Sequence, residues 1–202
     1  MNDFLQAENV SKQYSGQTVL DDVTLRLEPG SATALMGPSG GGKTTLLRLL
    51  AGLETPDSGQ IKGVEGLRFC WVFQEDRLCE SFDALANVRL VLPRARQPQA
   101  ADMLAAVGLE EEDRNKPVAN LSGGQRRRVA LVRAVEAEGD VLVLDEAFKG
   151  LDRAVRAEVF QYIRERRAGR TLLLVTHDRE EAEAFEAEVV WIGERGQEPY
   201  TE

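Results

Sequence analysis

Gly37-Pro38-Ser39-Gly40-Gly41-Gly42-Lys43-Thr44 is the stretch of this 202-residue chain that decides its fold. It follows an apolar run at 32–36 and precedes a leucine-rich segment at 43–51, so it joins a predicted strand to a predicted helix. The pattern G-x-x-x-x-G-K-[ST] in this setting is typical of a phosphate-binding loop. Its glycines let backbone N–H groups turn toward an anion, and the helix directs its positive dipole end there. A chance glycine-rich turn is the alternative, and the flanking strand and helix disfavour it.

Short apolar runs alternate with helical periodicity along the rest of the chain. The predicted strands are residues 4–10, 23–27, 32–36, 67–73, 141–144, 172–175 and 189–192. The predicted helices are residues 43–51, 100–107, 123–138, 153–167 and 179–185. This alternation predicts a parallel α/β sheet. We expect one domain over 1–202, with an α/β core at 1–74 and 121–202 and an inserted helical lobe at about 75–120.

Composition and charge exclude several classes of protein. A net charge of −9 disfavours a general nucleic-acid binder, and the one basic cluster, Arg126 to Arg128 with Arg133, is interpreted as a solvated helix face. Cys70 and Cys79 lack the spacing of metal ligands and are expected to be reduced thiols. The amino terminus has no pattern of a secretory signal, and no apolar run approaches the roughly 20 residues that span a bilayer. Any membrane role is therefore expected to come through a partner.

Four residues, two at the end of the phosphate loop and two after the run 141–144, suit a nucleotide with bound Mg²⁺. Lys43 would neutralise the β- and γ-phosphates, and the Thr44 hydroxyl would bind the metal. Asp145, at the end of the run 141–144, supplies a carboxylate to hold Mg²⁺ through water. Glu146 follows at once, and because one inner carboxylate usually suffices for Mg²⁺, we interpret it as the general base for an attacking water. The alternative for this acidic pair is a strand that ends in a solvated turn.

Leu121-Ser122-Gly123-Gly124-Gln125 stands upstream of the acidic pair. Ser122 can cap the helix behind it, so that a hydroxyl, glycine amides and a helix dipole face one anion. An ordinary capped helix would explain Ser122 but not the Gly-Gly-Gln that follows. Together with the phosphate loop, this stretch resembles the signature of ABC transporter ATP-binding subunits, and the resemblance extends over residues 5–192. It implies an α/β P-loop NTPase (RecA-like) core with an antiparallel β subdomain and an inserted α-helical subdomain, the ABC ATPase architecture.

The resemblance also implies roles for four single residues. Gln74 matches a glutamine that contacts Mg²⁺ and lies where the membrane partner docks. His177, the only histidine, matches a switch residue that hydrogen-bonds the γ-phosphate, whereas a lone histidine is otherwise most often structural. Asp152 matches an aspartate that helps to link two ATP sites. Tyr14 is placed to stack on adenine, and an exposed tyrosine in a turn is its alternative.

The candidate site residues fall into three groups. Those predicted to act in catalysis are Lys43, Gln74, Glu146 and His177. Those predicted to bind ATP are Tyr14, Gly37, Pro38, Ser39, Gly40, Gly41, Gly42, Lys43, Thr44, Thr45, Gln74, Ser122, Gly123, Gly124, Gln125, Asp145, Asp152 and His177. Those predicted to bind Mg²⁺ are Thr44, Gln74 and Asp145.

The resemblance implies ATP hydrolysis coupled to transport of a solute across a membrane. The run Phe73-Gln74-Glu75-Asp76-Arg77-Leu78 resembles bacterial importers of the nitrate, sulfonate and taurine type, which favours import. A soluble ABC ATPase without a transport role, or the ATPase of an exporter or lipoprotein-release system, is the alternative. The implied partners are an integral-membrane permease and a second ATP-binding subunit, with the signature of one chain closing over ATP held by the other. An extracytoplasmic solute-binding protein is a third candidate, no nucleic acid is expected, and the implied location is cytoplasmic, on the inner face of the membrane.

Two positions depart from the family pattern. Ala147 follows Glu146 where proline is common, and Lys149 stands where a small residue is usual. Neither change removes a phosphate or metal ligand, but alanine leaves φ free where proline would fix it. The chain also ends soon after Ile192, so we expect no regulation of this protein by a small ligand through a C-terminal extension.

Overall fold

A computed structural model describes residues 4–193 and the backbone of residues 196–199. Its contacts divide the chain into two compact units. The first unit is Met1–Phe69 with Gly169–Glu202, and the second is Cys70–Ala168. The predicted division at residues 74 and 120 lies elsewhere and stays a prediction.

Nine strands and seven helices follow one another along the described chain. The strands β1 to β9 are Leu5–Tyr14, Gln17–Leu27, Ala32–Met36, Ser58–Lys62, Phe69–Val72, Val141–Asp145, Thr171–Val175, Glu188–Gly193 and Gly196–Pro199. The helices α1 to α7 are Lys43–Leu50, Ala84–Arg89, Ala100–Ala105, Glu111–Arg114, Gly123–Glu136, Arg153–Arg166 and Arg179–Ala184. Short 3₁₀ helices cover Arg94–Gln99 and Val118–Asn120.

The first unit contains an antiparallel sheet in the order β2-β1-β4. In β2 the side chains of Val23, Leu25 and Leu27 are buried while those between them are exposed, as expected for a strand with one face on the core. Both β1 and β2 run well beyond the predicted 4–10 and 23–27, because their polar ends carry no apolar signal. β4 was not predicted from the sequence because Ser-Gly-Gln-Ile-Lys has neither an apolar run nor clear alternation.

The first unit also contains the strands β7-β3-β8-β9 in that order. β3 lies parallel to both neighbours, with Ala34 opposite Leu174 on β7 and Val189 on β8, whereas β9 is antiparallel to β8. All five residues of β3 and of β7 are buried, as in parallel strands covered on both faces, and their parallel pairing confirms the predicted parallel sheet. The predicted strand 32–36 is therefore correct at both ends.

In the second unit, the strands β5 and β6 are neighbours, and the rest is helical. Glu136 at the end of α5 is a buried carboxylate on which three elements converge. It accepts a hydrogen bond from Tyr162 on α6 at 2.5 Å and pairs with Arg166 at 3.1 Å and with Arg96 at 2.5 Å. Burial, and then the bond to Glu136, raise the pKa of Tyr162 well above its usual range. A buried carboxylate needs such partners, because an unpaired charge in the interior is strongly destabilising.

From residue 75 to 120 the structure shows only helices and loops, with one isolated bridge between Asp83 and Pro117. The ends of the predicted helices differ from the observed ones by at most two residues, as fraying ends do. The predicted strand 67–73 is shorter, at Phe69–Val72. Cys70 is buried, Cys79 is exposed, and both thiols are free.

The interpretation of the basic cluster on α5 as a solvated face was wrong. Arg127 is buried, and the guanidinium groups of Arg126, Arg128 and Arg133 all donate to backbone carbonyls of neighbouring loops. Helical periodicity indicates which face of a helix an arginine occupies. It does not show whether loop carbonyls lie against that face.

Asn87 on α2 organises the lobe, and its replacement tests this. The fully buried amide accepts from the Cys79 N–H at 2.9 Å and donates to carbonyls of Cys79, Phe82 and Asp83. Asn87→Ala leaves the Cys79 N–H without its acceptor and removes one donor from each of the three carbonyls, which keep their backbone donors. We therefore expect it to lower the free energy of unfolding by about 1–3 kcal/mol in urea titrations. Asn115→Ala, which removes an exposed amide, should stay within about 0.5 kcal/mol. Equal effects of the two variants would contradict the role of Asn87.

Candidate functional site

The predicted phosphate loop joins β3 to α1 in the first unit, as the sequence indicated. A turn closes it, with the Gly41 N–H donating to the Pro38 carbonyl at 3.1 Å. The ammonium of Lys43 lies against the same loop and donates to the carbonyls of Gly37 at 2.9 Å and Pro38 at 2.8 Å. The tip at Ser39 is exposed. The loop is thus a compact turn, and the Lys43 ammonium binds its backbone carbonyls.

The first turn of α1 begins directly in this loop. Gly42 is the residue before the helix, and no side chain of the described chain caps it. The first N–H groups of a helix have no partner within the helix, and together with the helix dipole they favour an anion. Lys43 adds a positive charge at this point. The arrangement suits a phosphate group chemically.

Tyr14 lies near the same helix, at the end of β1. Its ring is 41% exposed, and its hydroxyl donates to the carboxylate of Glu54 and also interacts with the hydroxyl of Thr45. The hydrogen bond to Glu54 raises the pKa of the Tyr14 phenol. The structure therefore brings Tyr14 and Thr45 together, and it leaves the Tyr14 ring accessible for stacking.

His177 is exposed and follows the buried end of β7. The residues around it are held firmly, because Thr176 donates to the buried carboxylate of Glu181 at 2.5 Å and accepts from the Asp178 N–H at 3.0 Å. Glu181 was not among the predicted site residues. Its only signal in the sequence is its place one helical turn after His177.

A depression of about 630 Å³ opens beside His177. Met36, Val189 and Trp191 contribute apolar surface to it, and Glu183 and Glu186 contribute carboxylates. Arg179 also lines the depression, but the two carboxylates outnumber this one guanidinium and disfavour a polyphosphate at this place. We therefore do not assign nucleotide phosphates to this depression.

In the second unit, Asp145 and Glu146 occupy the end of β6. Asp145 is the last residue of the strand and is 4% exposed. Glu146 has a left-handed backbone with φ 47°, which residues other than glycine seldom adopt. The ammonium of Lys149 lies 3.8 Å from its carboxylate. The pair is thus not a freely solvated turn, which was the alternative interpretation.

The stretch 121–125 begins α5 as predicted. Ser122 caps the helix by accepting from the Gln125 N–H at 3.3 Å, and Gln125 in return accepts from the Ser122 N–H at 2.8 Å. The Gln125 amide is held in turn by the carboxylate of Asp113 on α4. Gly123 is exposed, with no atom of the described residues near its open side. The predicted cap is confirmed, and it presents glycine backbone to solvent.

Two more predicted residues lie in the same unit. Gln74 follows β5 and is exposed, while its carbonyl is bound by Arg127. Asp152 caps α6 by accepting from the Val155 N–H at 3.0 Å. Gly124 and Gly150 approach one another, so the turn before Asp152 lies beside the start of α5. Within the described residues, no group of three or more His, Cys, Asp or Glu side chains is arranged to hold a metal.

A family model described as "ABC transporter" matches residues 20–149, which is more than half of the chain. The chain belongs to this ABC transporter family. The predicted family membership is confirmed, and the fold is that of an ATP-binding cassette. None of the helices in the described part of the chain has the length and apolarity that crossing a bilayer requires.

Curated relatives and solved structures extend this family assignment. The "Sulfate/thiosulfate import ATP-binding protein CysA 2" of Rhizobium meliloti is 43% identical over 88% of this chain and 54% of its own length. The "Aliphatic sulfonates import ATP-binding protein SsuB" of Cupriavidus necator is 46% identical over 93% of this chain and 65% of its own length. The chain thus spans about half to two thirds of these relatives. The ATP-binding cassette MJ0796, a dimer solved in a post-hydrolysis state with ADP and Pi, matches with a TM-score of 0.83 and 27% identity over 96% of both chains.

Two glycines of the phosphate loop with nearly the same backbone allow a matched test. Gly40 has φ 80° and Gly42 has φ 88°, but a Cβ at Gly42 would lie 2.6 Å from Leu20 and 2.7 Å from the Val19 carbonyl, whereas one at Gly40 meets nothing within 4 Å. Gly40→Ala should cost about 1–2 kcal/mol of unfolding free energy from the left-handed backbone alone. Gly42→Ala should cost about 1–3 kcal/mol more because of the clash. Equal losses in denaturant titrations would contradict the packing of the loop on β2.

Proposed function

We propose that this protein hydrolyses ATP to ADP and phosphate. The observation that carries the proposal is the phosphate loop, which begins a helix without a side-chain cap and holds Lys43 across its own carbonyls. The loop offers backbone N–H groups, a helix dipole and an ammonium to the phosphates. Tyr14 offers an exposed ring for adenine. The structural relative captured with ADP and Pi supports the same reaction.

Magnesium is the metal that the proposed donors fit. Thr44, Gln74 and Asp145 offer hydroxyl, amide and carboxylate oxygens, and Mg²⁺ prefers oxygen ligands. Asp145 is buried and is the last residue of β6, so its carboxylate lies at the end of a strand. Bound Mg²⁺ supplies positive charge to the β- and γ-phosphate oxygens. The chain itself contributes the ligand oxygens of Thr44, Gln74 and Asp145 and positions them for the metal.

Glu146 is the proposed general base. Its carboxylate accepts a proton from the water that attacks the γ-phosphorus, while the bond between that phosphorus and the β–γ bridging oxygen breaks. The left-handed backbone of Glu146 fixes the direction in which the side chain leaves the strand. His177 is proposed to hydrogen-bond the γ-phosphate from the exposed end of β7. Lys43 neutralises charge on the same phosphate.

Two copies of the chain are proposed to bind ATP together. The start of α5 presents exposed Gly123 backbone at the positive end of a 14-residue helix, which suits a phosphate held by a second chain. Asp152, at the turn beside this helix, is proposed to link the two sites. The dimeric cassette MJ0796 supports this arrangement.

Hydrolysis is proposed to drive solute import through an integral-membrane permease. Relatives named as import ATP-binding proteins for sulfate, thiosulfate and aliphatic sulfonates support import. Their names favour sulfur oxyanions, although an Fe³⁺ import relative is also 41% identical over 197 residues. We place the protein on the inner face of the cell membrane, with an extracytoplasmic solute-binding protein as a further partner.

Replacement of Glu146 tests the ATPase and the dimer in one experiment. Glu146→Gln should lower the ATP turnover rate by about 10²–10⁴-fold because the base is lost while ATP still binds. It should also accumulate as an ATP-bound dimer in size-exclusion chromatography with light scattering. Glu165→Gln, an exposed carboxylate on α6, is the matched control and should change neither result. Turnover near the unmodified rate would contradict the role of Glu146, and a persistent monomer would contradict the dimer.

The transport role is tested by recovery of the membrane partner. The tagged protein should co-purify from membranes with an integral-membrane protein, and deletion of that protein should release it to the soluble fraction. Cells lacking this ATPase should then lose uptake of one labelled solute, with sulfate and aliphatic sulfonates assayed first. Full ATPase activity without any membrane partner would favour the soluble, non-transport alternative.

A further inference from the structure

The arginines of α5 bind the backbone that follows β5. Arg127, whose side chain is 7% exposed, donates to the carbonyls of Phe73 at 2.7 Å and Gln74 at 2.6 Å. The same guanidinium pairs with the carboxylate of Asp76 at 3.1 Å. One side chain therefore contacts three residues, Phe73, Gln74 and Asp76, and two of the three contacts are to backbone.

Arg133 and Arg126 continue this contact along the segment 73–80. Arg133, two turns further along α5, donates to the carbonyls of Asp76 at 3.2 Å and Arg77 at 2.9 Å. Arg126 makes two contacts with the carboxylate of Glu80, at 2.9 Å and 2.5 Å. The segment has left the strand β5 by this point, so the guanidinium groups supply hydrogen bonds that a neighbouring strand would otherwise give.

The chemistry of this contact requires arginine at position 127. A guanidinium presents five N–H donors in a planar fork, whereas a lysine ammonium is a single compact charge. Only the fork can hold two successive carbonyls and a carboxylate at once. On its other side the segment is held by stacking, because the rings of Trp71 and Phe73 lie parallel at 5.0 Å and the Arg77 guanidinium lies 3.9 Å from the Phe73 ring.

We propose that Arg127 is the positioning residue of Gln74. Its hydrogen bonds join the backbone of Gln74 to α5, the helix capped by Ser122. This contact fixes the position of Gln74 relative to α5 and orients the Gln74 amide for metal binding. The inference rests on the proposed role of Gln74 as a Mg²⁺ ligand. Arg127 itself touches neither nucleotide nor metal in this scheme, and it acts only through the Gln74 backbone.

The first test measures metal binding with matched variants. Arg127→Gln should raise the Mg²⁺ concentration for half-maximal ATP turnover, and the Mn²⁺ dissociation constant measured by electron paramagnetic resonance with a non-hydrolysable ATP analogue, by roughly tenfold to a hundredfold. Arg127→Lys should give a smaller shift. Arg128→Gln is the control, because Arg128 donates to the carbonyls of Val107 and Gly108 from the same helix and does not contact 73–77. Equal shifts for Arg127→Gln and Arg128→Gln would overturn the proposal.

A second measurement separates positioning from general stability. The chain has two tryptophans, so Trp191→Phe leaves Trp71 as a reporter beside the segment. In that background Arg127→Gln should increase acrylamide quenching of Trp71 at temperatures well below unfolding, whereas Arg128→Gln should not. Unchanged quenching in Arg127→Gln would overturn the proposal even if the variant were less stable.

Gln74→Ala distinguishes failure of this inference from failure of the proposed function. If Gln74 binds the metal, Gln74→Ala raises the Mg²⁺ requirement, and Arg127→Gln adds little to it in the double variant. A full additional shift in the double variant would overturn the positioning role alone. An unchanged Mg²⁺ requirement in Gln74→Ala would contradict the metal role of Gln74 and with it the inference as stated. Quenching of Trp71 would still report whether Arg127 holds the segment 73–80 in place.

Discussion

Burial of the parallel strands on both faces is the constraint on which the other features depend. Every residue of β3, β6 and β7 is buried, and the only polar residues along them are Thr33 within β3, Thr171 at the start of β7 and Asp145 at the end of β6. Each strand is followed at once by polar chemistry: the phosphate loop after Met36, Glu146 after Asp145, and His177 after Thr176. Ligands of open α/β sheets bind outside the carboxyl ends of the strands, where such turns lie. The order of buried strand and polar turn therefore sets where this chain can bind a nucleotide.

The same constraint explains what could be predicted from the sequence. A short, fully buried strand of mostly apolar residues is easy to recognise, so the interval 32–36 was predicted at both ends and the loop after it followed from its glycines. Edge strands lack this continuous apolar, buried pattern. β4 is Ser-Gly-Gln-Ile-Lys, and its residues are exposed or half-buried, so neither hydrophobicity nor alternation marks it. Its pairing with β1 depends on residues about 50 positions away, which a local pattern does not contain.

Contacts between polar side chains were the least predictable part of the candidate site. The capping box of Ser122 and Gln125 follows from their spacing, but the support of Gln125 by Asp113 depends on where α4 lies. Glu181 is similar, since only the folded chain shows that its carboxylate receives the Thr176 hydroxyl. The arginines of α5 were misinterpreted for the same reason. Their partners are backbone carbonyls, which every residue has, so no pattern of residue types marks the loops that bind them.

The turn after Glu146 shows how packing can replace a residue that fixes the backbone. Ala147 leaves φ free where proline would restrict it, yet Ala147 and Phe148 are both fully buried. The Phe148 ring packs edge-on against the Phe160 ring, with 4.8 Å between the ring centroids. The backbone carbonyl of Phe148 accepts a hydrogen bond from the Leu151 N–H at 3.2 Å. The turn then leads directly to Asp152, which caps α6. A buried aromatic ring that packs against a helix restrains a turn through tertiary contacts, whereas proline restrains it through the covalent ring that fixes φ. The backbone restraint that proline would give at position 147 is thus supplied by packing of Phe148, the residue after Ala147. Lys149 is exposed, and its ammonium lies 3.8 Å from the Glu146 carboxylate.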